Sequence, residues 1–174
     1  MNKLLYPKIY VSSIIDIQIE WLKELGIKGV LFDLDNTIIK RDSDQFPPEI
    51  SGYLNELRGY GFKLGIISNN TRKRVMAIAG SLEVPSIYRA VKPLVRPFRR
   101  ALEMLGTSAL ETALVGDQIF TDILGGNLAG LYTILVVPVG DKDFWGSKLI
   151  SRPLEKLVLA RLRKNMEVSH ANRD

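Results

Sequence analysis

The sequence predicts an α/β fold, a parallel sheet covered by helices on both faces. Short runs that are apolar on both faces of a strand recur along the chain, and amphipathic helical patterns separate them. Carboxylate, hydroxyl and amide residues gather where these runs end, which is where open parallel sheets bind ligands.

Taken in order, a helical pattern over 16–25 precedes the first run, 29–33, whose Gly-Val-Leu-Phe leads directly into Asp33. The next helix, 48–59, starts after Pro47-Pro48 and stops at Gly59, as proline at a helix start and glycine at its end dictate. The second run is 63–68, followed by a helix over 71–82. A weaker run at 86–91 leads to a helix over 95–105. The fourth run is 112–116, followed by a helix over 120–129, and the fifth is 132–137. A helix over 151–164 closes the chain, with Leu154, Leu157, Val158 and Leu162 as an apolar stripe beside Lys156, Arg163 and Lys164. The expected organisation is one domain over 1–174, its core about 28–137, with N- and C-terminal helical extensions.

Composition narrows the chemistry. There is no cysteine, and the one histidine, His170, lies in a polar tail, so thiolate chemistry and a multi-histidine metal site have no residues to build them. Lys8, Asp16 and Glu20 break the apolar start, and the apolar stretch 131–139 is too short to span a bilayer. The expected location is cytoplasmic, with a peripheral position on the inner membrane face left open. The net charge of +5 is uneven: 72–100 holds eight basic residues and one acid, and 145–164 holds six and one. Such blocks suit an anionic partner or substrate, or else two solvated helix faces.

Three of the run ends carry the candidate site. The first ends in Asp33-Leu34-Asp35-Asn36-Thr37, the second in Ser68-Asn69-Asn70, and the fourth in Gly116-Asp117, with Asp122 following; Lys92 joins them after the third. Asp122 alone reads equally as a helix cap, 68–70 as a turn, and Lys92 as a solvated charge. Asp33 and Asp35 at an apolar strand end resist that reading, because buried carboxylates need partners. Converging carboxylates repel unless a cation joins them, and an all-oxygen ligand set selects magnesium over zinc.

These segments, in this order, resemble the four motifs of the haloacid dehalogenase (HAD) superfamily: Asp33 to Thr37, Ser68-Asn69, Lys92-Pro93 and Gly116 to Asp122. More narrowly, Phe32 to Thr37 and Lys92-Pro93 ahead of Phe98 resemble the YqeG-like group of subfamily IIIA, which is similar to phosphatidylglycerophosphate phosphatases. The resemblance implies a Rossmann-like three-layer sandwich and a phosphatase that uses Mg2+. It implies that Asp33 attacks phosphorus and forms an acyl phosphate. Asp35 then protonates the leaving alkoxide, deprotonates the hydrolytic water, and offers its backbone carbonyl to the metal. Asp33 and Asp117 bind the ion, and Asp122 binds or orients it. Ser68 and the amide of Asn69 hold phosphoryl oxygens, Lys92 neutralises charge, and Thr37 braces the loop.

Only 32 residues separate Asp35 from Ser68 and 23 separate Ser68 from Lys92, each filled by one helix and one strand, so the fold is expected to be capless. An open site suits a phosphate on a large or membrane-borne substrate, because a small ligand would be poorly enclosed. An oligomer could supply a substitute lid. Arg72, Lys73 and Arg74, then Arg96, Arg99 and Arg100, with Phe144-Trp145 and the last helix, fit an anionic phospholipid such as phosphatidylglycerophosphate. The alternatives are a phosphoprotein or nucleotide phosphatase, and a non-catalytic protein gripping RNA or an assembly partner. No RNA-recognition or helix-turn-helix signature supports the last of these.

Overall fold

A computed structural model describes residues 3–139. The expected helix over 151–164, Phe144-Trp145 and His170 lie outside the described residues. Within them, β1 (Ile9–Val11) and α1 (Ile19–Glu24) lead to β2 (Gly29–Phe32). Then α2 (Pro48–Gly59), β3 (Lys63–Ile67), α3 (Arg72–Leu82) and β4 (Ser86–Ile87) follow. The described chain ends with α4 (Val95–Leu105), β5 (Thr112–Gly116), α5 (Leu124–Leu128) and β6 (Tyr132–Val136).

The six strands form one parallel sheet in the order β1-β6-β5-β2-β3-β4. The period-two alternation of strand side chains sorts the core into two layers. Val30 and Phe32 of β2 face one way, with Leu64 and Ile66 of β3, onto Leu22, Leu54, Leu57 and Val75 of α1 to α3. Leu31, Ile67 and Leu114 face the other way, onto Phe98, Ala101, Leu102 and Leu105 of α4. The result is the expected three-layer α/β sandwich.

The connections step outward from β2 through β3 to β4, then α4 returns the chain across the other face to β5, on the opposite side of β2. The strand order therefore reverses at β2, and a crevice opens at its carboxyl end. The register aligns Phe32 with Ile66 on one side and with Val115 on the other, so Asp33 emerges beside the ends of both neighbours.

Three expectations change. The N-terminal extension is not wholly helical: Ile9–Val11 joins the sheet as an edge strand, paired through Ile9 to Ile134 and Val11 to Val136. The sheet thus begins well before residue 28. The run at 86–91 supplies only Ser86–Ile87, because Arg89 (φ 47) and Val91 (φ 56) adopt left-handed backbone that cannot extend a strand. The helical pattern over 16–25 also splits, into a 3-10 turn at Ile14–Asp16 and the shorter α1. The central strands β2, β3 and β5 run as expected.

Candidate active site

β2 is buried along its whole length, so the residue that follows it, Asp33, starts inside the protein; its amide donates to Val115 at 2.9 Å, continuing the ladder. The chain then turns sharply. Asn36 takes φ 64, a conformation asparagine tolerates better than most residues, and its amide donates to the Ile39 carbonyl at 2.7 Å. This turn buries Asp33, Asp35 and Thr37 together at the end of the central strand.

Lys92 reaches the same point from the loop after β4. Its side chain is buried, and its Nζ lies 2.5 Å from Asp33 Oδ1, 2.5 Å from Asp122 Oδ1 and 3.2 Å from the Ile67 carbonyl. Those acceptors fill all three donor positions of an ammonium. Asn69 sets the backbone of Lys92: the Lys92 amide donates to Asn69 Oδ1 at 2.7 Å, and Asn69 Nδ2 donates to the Lys92 carbonyl at 3.4 Å. Ser68, also buried, accepts the Asn70 amide on its hydroxyl at 3.1 Å.

Asp117 follows β5, and Asp122 lies in a π-helical turn, Ile119–Ile123, that leads into α5. Asp122 is not a cap. It is fully buried, and its carboxylate turns into the site, taking Lys92 on Oδ1 and the Gln118 amide on Oδ2 at 3.0 Å. Gly116 makes this possible, since a Cβ there would sit 2.5 Å from three atoms of the Asp122 side chain. The Thr37 hydroxyl donates to Asp117 Oδ1 at 3.4 Å, linking the loop after β2 to the residue that follows β5.

One carboxylate oxygen each from Asp33, Asp117 and Asp122 lies within 4.8 Å of the others. If all three are ionised, the single positive charge of Lys92 leaves a buried surplus of two negative charges. Burial, with the repulsion of Asp122, raises the Asp33 carboxyl to about 6 against the pull of Lys92. Burial and the charges of Asp33 and Asp122 raise Asp117 well above the ordinary carboxylate range. Burial opposes charge on Lys92, yet Asp122 and Asp33 outweigh it and raise the ammonium's pKa. Three hard oxygens and a surplus that one divalent ion cancels fit Mg2+ in charge and in donor chemistry.

Asp35 belongs to a different network. Its Oδ1 accepts Arg74 Nε at 2.8 Å and its Oδ2 accepts Asn70 Nδ2 at 2.7 Å. Arg74 also donates to Asp44 Oδ1 at 2.9 Å and to the Lys40 and Ser43 carbonyls, tying the 40–44 loop to Asp35. Sequence reasoning grouped Arg74 with the basic residues suited to an anionic substrate but missed this hold on Asp35. Nothing in residue type singled it out from Arg72 and Lys73. Its place in the first turn of α3, just after the loop carrying Ser68, is the signal available. A cleft of about 390 Å³ opens over the site, with Asp33, Asp35, Ser68, Asn69 and Lys92 among its lining residues. Every sequence-predicted site residue thus ends at one end of the sheet.

A buried carboxylate, a lysine bridging it to a second acid and a hard-oxygen pocket at the switch point of a parallel sheet define a class, and comparison agrees. The profile of the haloacid dehalogenase-like hydrolases matches residues 38–130, and the chain belongs to that family. The match starts after the Asp33 loop, so the place of Asp33 rests on its geometry. Within the family the chain is a phosphatase of the YqeG-like group. It is 36% identical over 164 residues to the probable phosphatase YqeG of Bacillus subtilis, covering 94% of this chain and 95% of that protein. It is 26% identical over 172 residues to phosphatidylglycerophosphate phosphatase 1 of Arabidopsis thaliana, covering 94% of this chain but 49% of that protein. Among solved structures, the HAD phosphatase from Thermococcus onnurineus shares the fold, with a TM-score of 0.58 and 22% identity over 75% of this chain and 96% of that one.

Proposed function

We propose that this phosphatase hydrolyses a phosphomonoester on an anionic phospholipid headgroup, through a phospho-aspartate on Asp33 and with Mg2+. The observation that carries the chemistry is the contact of Lys92 Nζ with Asp33 and Asp122, at 2.5 Å each, inside the carboxylate triad. Asp33, Asp117, Asp122 and the backbone carbonyl of Asp35 would hold the ion, which supplies positive charge against the phosphoryl oxygens and the attacking carboxylate.

The chain's own groups carry the two steps. A carboxylate oxygen of Asp33 attacks phosphorus, a P–O bond to Asp33 forms, and the bond to the ester oxygen breaks. Asp35, oriented by Asn70 and Arg74, gives its proton to the departing alkoxide. It then takes a proton from a water that attacks the same phosphorus. The P–O bond to Asp33 breaks, and phosphate and a free Asp33 carboxylate result. Ser68 and the Asn69 amide hold phosphoryl oxygens, while Lys92 offsets their charge and keeps Asp33 in place. Electrostatics and positioning dominate phosphoryl transfer, and these residues provide both.

Three observations support the lipid substrate. The segments between Asp35 and Lys92 fold as single helices and strands, with no inserted domain over the cleft. Two curated relatives, from Arabidopsis thaliana and Chlamydomonas reinhardtii, are named for phosphatidylglycerophosphate, although the chain spans only 49% and 63% of their lengths. The exposed Arg89 of the loop after β4 lies three residues before Lys92, whose side chain lines the cleft. The test is phosphate release with Mg2+ from phosphatidylglycerophosphate in vesicles and from soluble esters. Vesicle substrate should turn over faster, and Asp33→Asn should lower both rates on the order of 10⁴-fold or more. Equal turnover of lipid and soluble ester would contradict the substrate, and an active Asp33→Asn enzyme would contradict the nucleophile.

A further inference from the structure

Beside the active site lies a second cleft, of about 460 Å³, that the chemistry above does not use. It is lined from the loop after β4 by Tyr88 and Arg89, and from α4 by Arg96, Arg99 and Arg100, with Glu103 as its one acid. Among the described residues, these four guanidinium groups make no ion pair, although all four are exposed. Arginines left without carboxylate partners around a cleft suit an anion held from outside.

The same stretch exposes two aliphatic side chains. Val91 is 62% and Leu94 59% exposed, and they flank Lys92-Pro93, whose lysine is buried in the active site. The left-handed backbone at Arg89 and Val91 turns the loop out of the sheet edge just where these residues begin. Residues 86–100 contain no acid at all. Apolar side chains set among unpaired arginines match the layering of an anionic lipid surface, with apolar matter beneath a negative headgroup layer. They match a nucleic acid less well. The one aromatic ring of the cleft, Tyr88, has the Arg72 guanidinium 5.9 Å from its centroid, so a base would have to displace it to stack there.

We infer that residues 88–100 form a docking surface for an anionic phospholipid bilayer, with Val91 and Leu94 entering the interface and Arg89, Arg96, Arg99 and Arg100 engaging lipid phosphates. Docking there sets the Lys92 loop, and so the mouth of the active site, against the membrane. This deepens the lipid-substrate reading, but binding is measured without turnover and can fail independently of it.

The experiment uses the full chain and vesicles of phosphatidylcholine alone or equimolar with phosphatidylglycerol, scored by co-sedimentation. Two variants are compared: R89Q/R96Q/R99Q/R100Q, and V91N/L94S, in which asparagine suits the left-handed position. The wild type should bind the anionic vesicles, release them as salt rises, and ignore the neutral ones. Each variant should bind roughly ten-fold more weakly or worse, while Mg2+-dependent hydrolysis of p-nitrophenyl phosphate stays at wild-type level and reports an intact fold. Wild-type binding by both variants, or equal binding to neutral vesicles, would overturn the proposal. So would tight binding of single-stranded RNA that needs the arginines but not Val91 and Leu94. If docking is confirmed but phosphatidylglycerophosphate is not hydrolysed, the surface stands and the substrate reading falls.

Discussion

The two ends of the central strands carry charged residues, and they treat them in opposite ways. At the amino end, Lys28 and Glu111 pair at 2.5 Å with side chains 68% and 34% exposed, and Ser108 caps the same carboxylate. Hydrogen bonds from Lys28 and Ser108 lower Glu111 to about 2. At the carboxyl end, Lys92, Asp33 and Asp122 meet almost wholly out of water, and burial raises Asp33 to about 6. A surface pair of the first kind contributes little and is screened by salt. A buried cluster of the second kind is costly to maintain, and fold stability alone gives no reason for it. The contrast sets the carboxyl end apart, since a carboxylate perturbed by burial in a cleft is a feature that reactive sites share.

The comparison can be broken most severely at Gly116. Gly116→Ala places a methyl against the Asp122 carboxylate, and should weaken Mg2+ affinity roughly 10–100-fold, as disturbing a ligand's support does elsewhere. Calorimetric Mg2+ titration checks this, and an unchanged affinity would mean that Asp122 has room to move. Acidification sharpens the contrast. A proton held by Asp33 up to about pH 6 must leave before an ion binds, so metal affinity should fall roughly ten-fold per pH unit below that point. A smaller loss is expected from Arg74→Ala. It should lower kcat about ten-fold on alkyl phosphates, whose leaving group needs the Asp35 proton, and far less on p-nitrophenyl phosphate. Equal losses on both substrates would make Arg74 merely structural. The smallest effect belongs to the amino end. Because Glu111 is lowered, its contribution is complete above its ordinary value of 4.5 and fades as pH falls toward about 2. Glu111→Gln should remove that acid dependence from thermal melts and leave turnover unchanged.

The legibility of the sequence follows the same division. Asp33 and Asp35 were readable because they end a buried run, where a polar residue demands an explanation; Ser68, Lys92, Asp117 and Asp122 were readable through their convergence at run ends and their resemblance, in order, to the family's motifs. What escaped was set by distant partners or by backbone. Ile9–Val11 is three residues long and pairs on one side only, so no period could reveal it. The end of β4 at Ile87 depends on positive φ at Arg89 and Val91, which neither residue type announces. Arg74 acquires its meaning from Asp35 and Asp44, 39 and 30 positions away in the chain. Gly116 was visible as part of a motif, but its necessity appears only once Asp122 is seen packed over it.

The central claim is that Asp33, Asp117 and Asp122 hold a divalent cation while the side chain of Asp35 does not. Titration of the full chain with Mn2+, followed by electron paramagnetic resonance, reads this directly without turnover. The wild type and Asp35→Asn should each bind one ion with similar affinity, and Asp117→Asn should bind at least about ten-fold more weakly. An Asp117→Asn protein that binds Mn2+ as the wild type does, or an Asp35→Asn protein that loses it, would contradict the account.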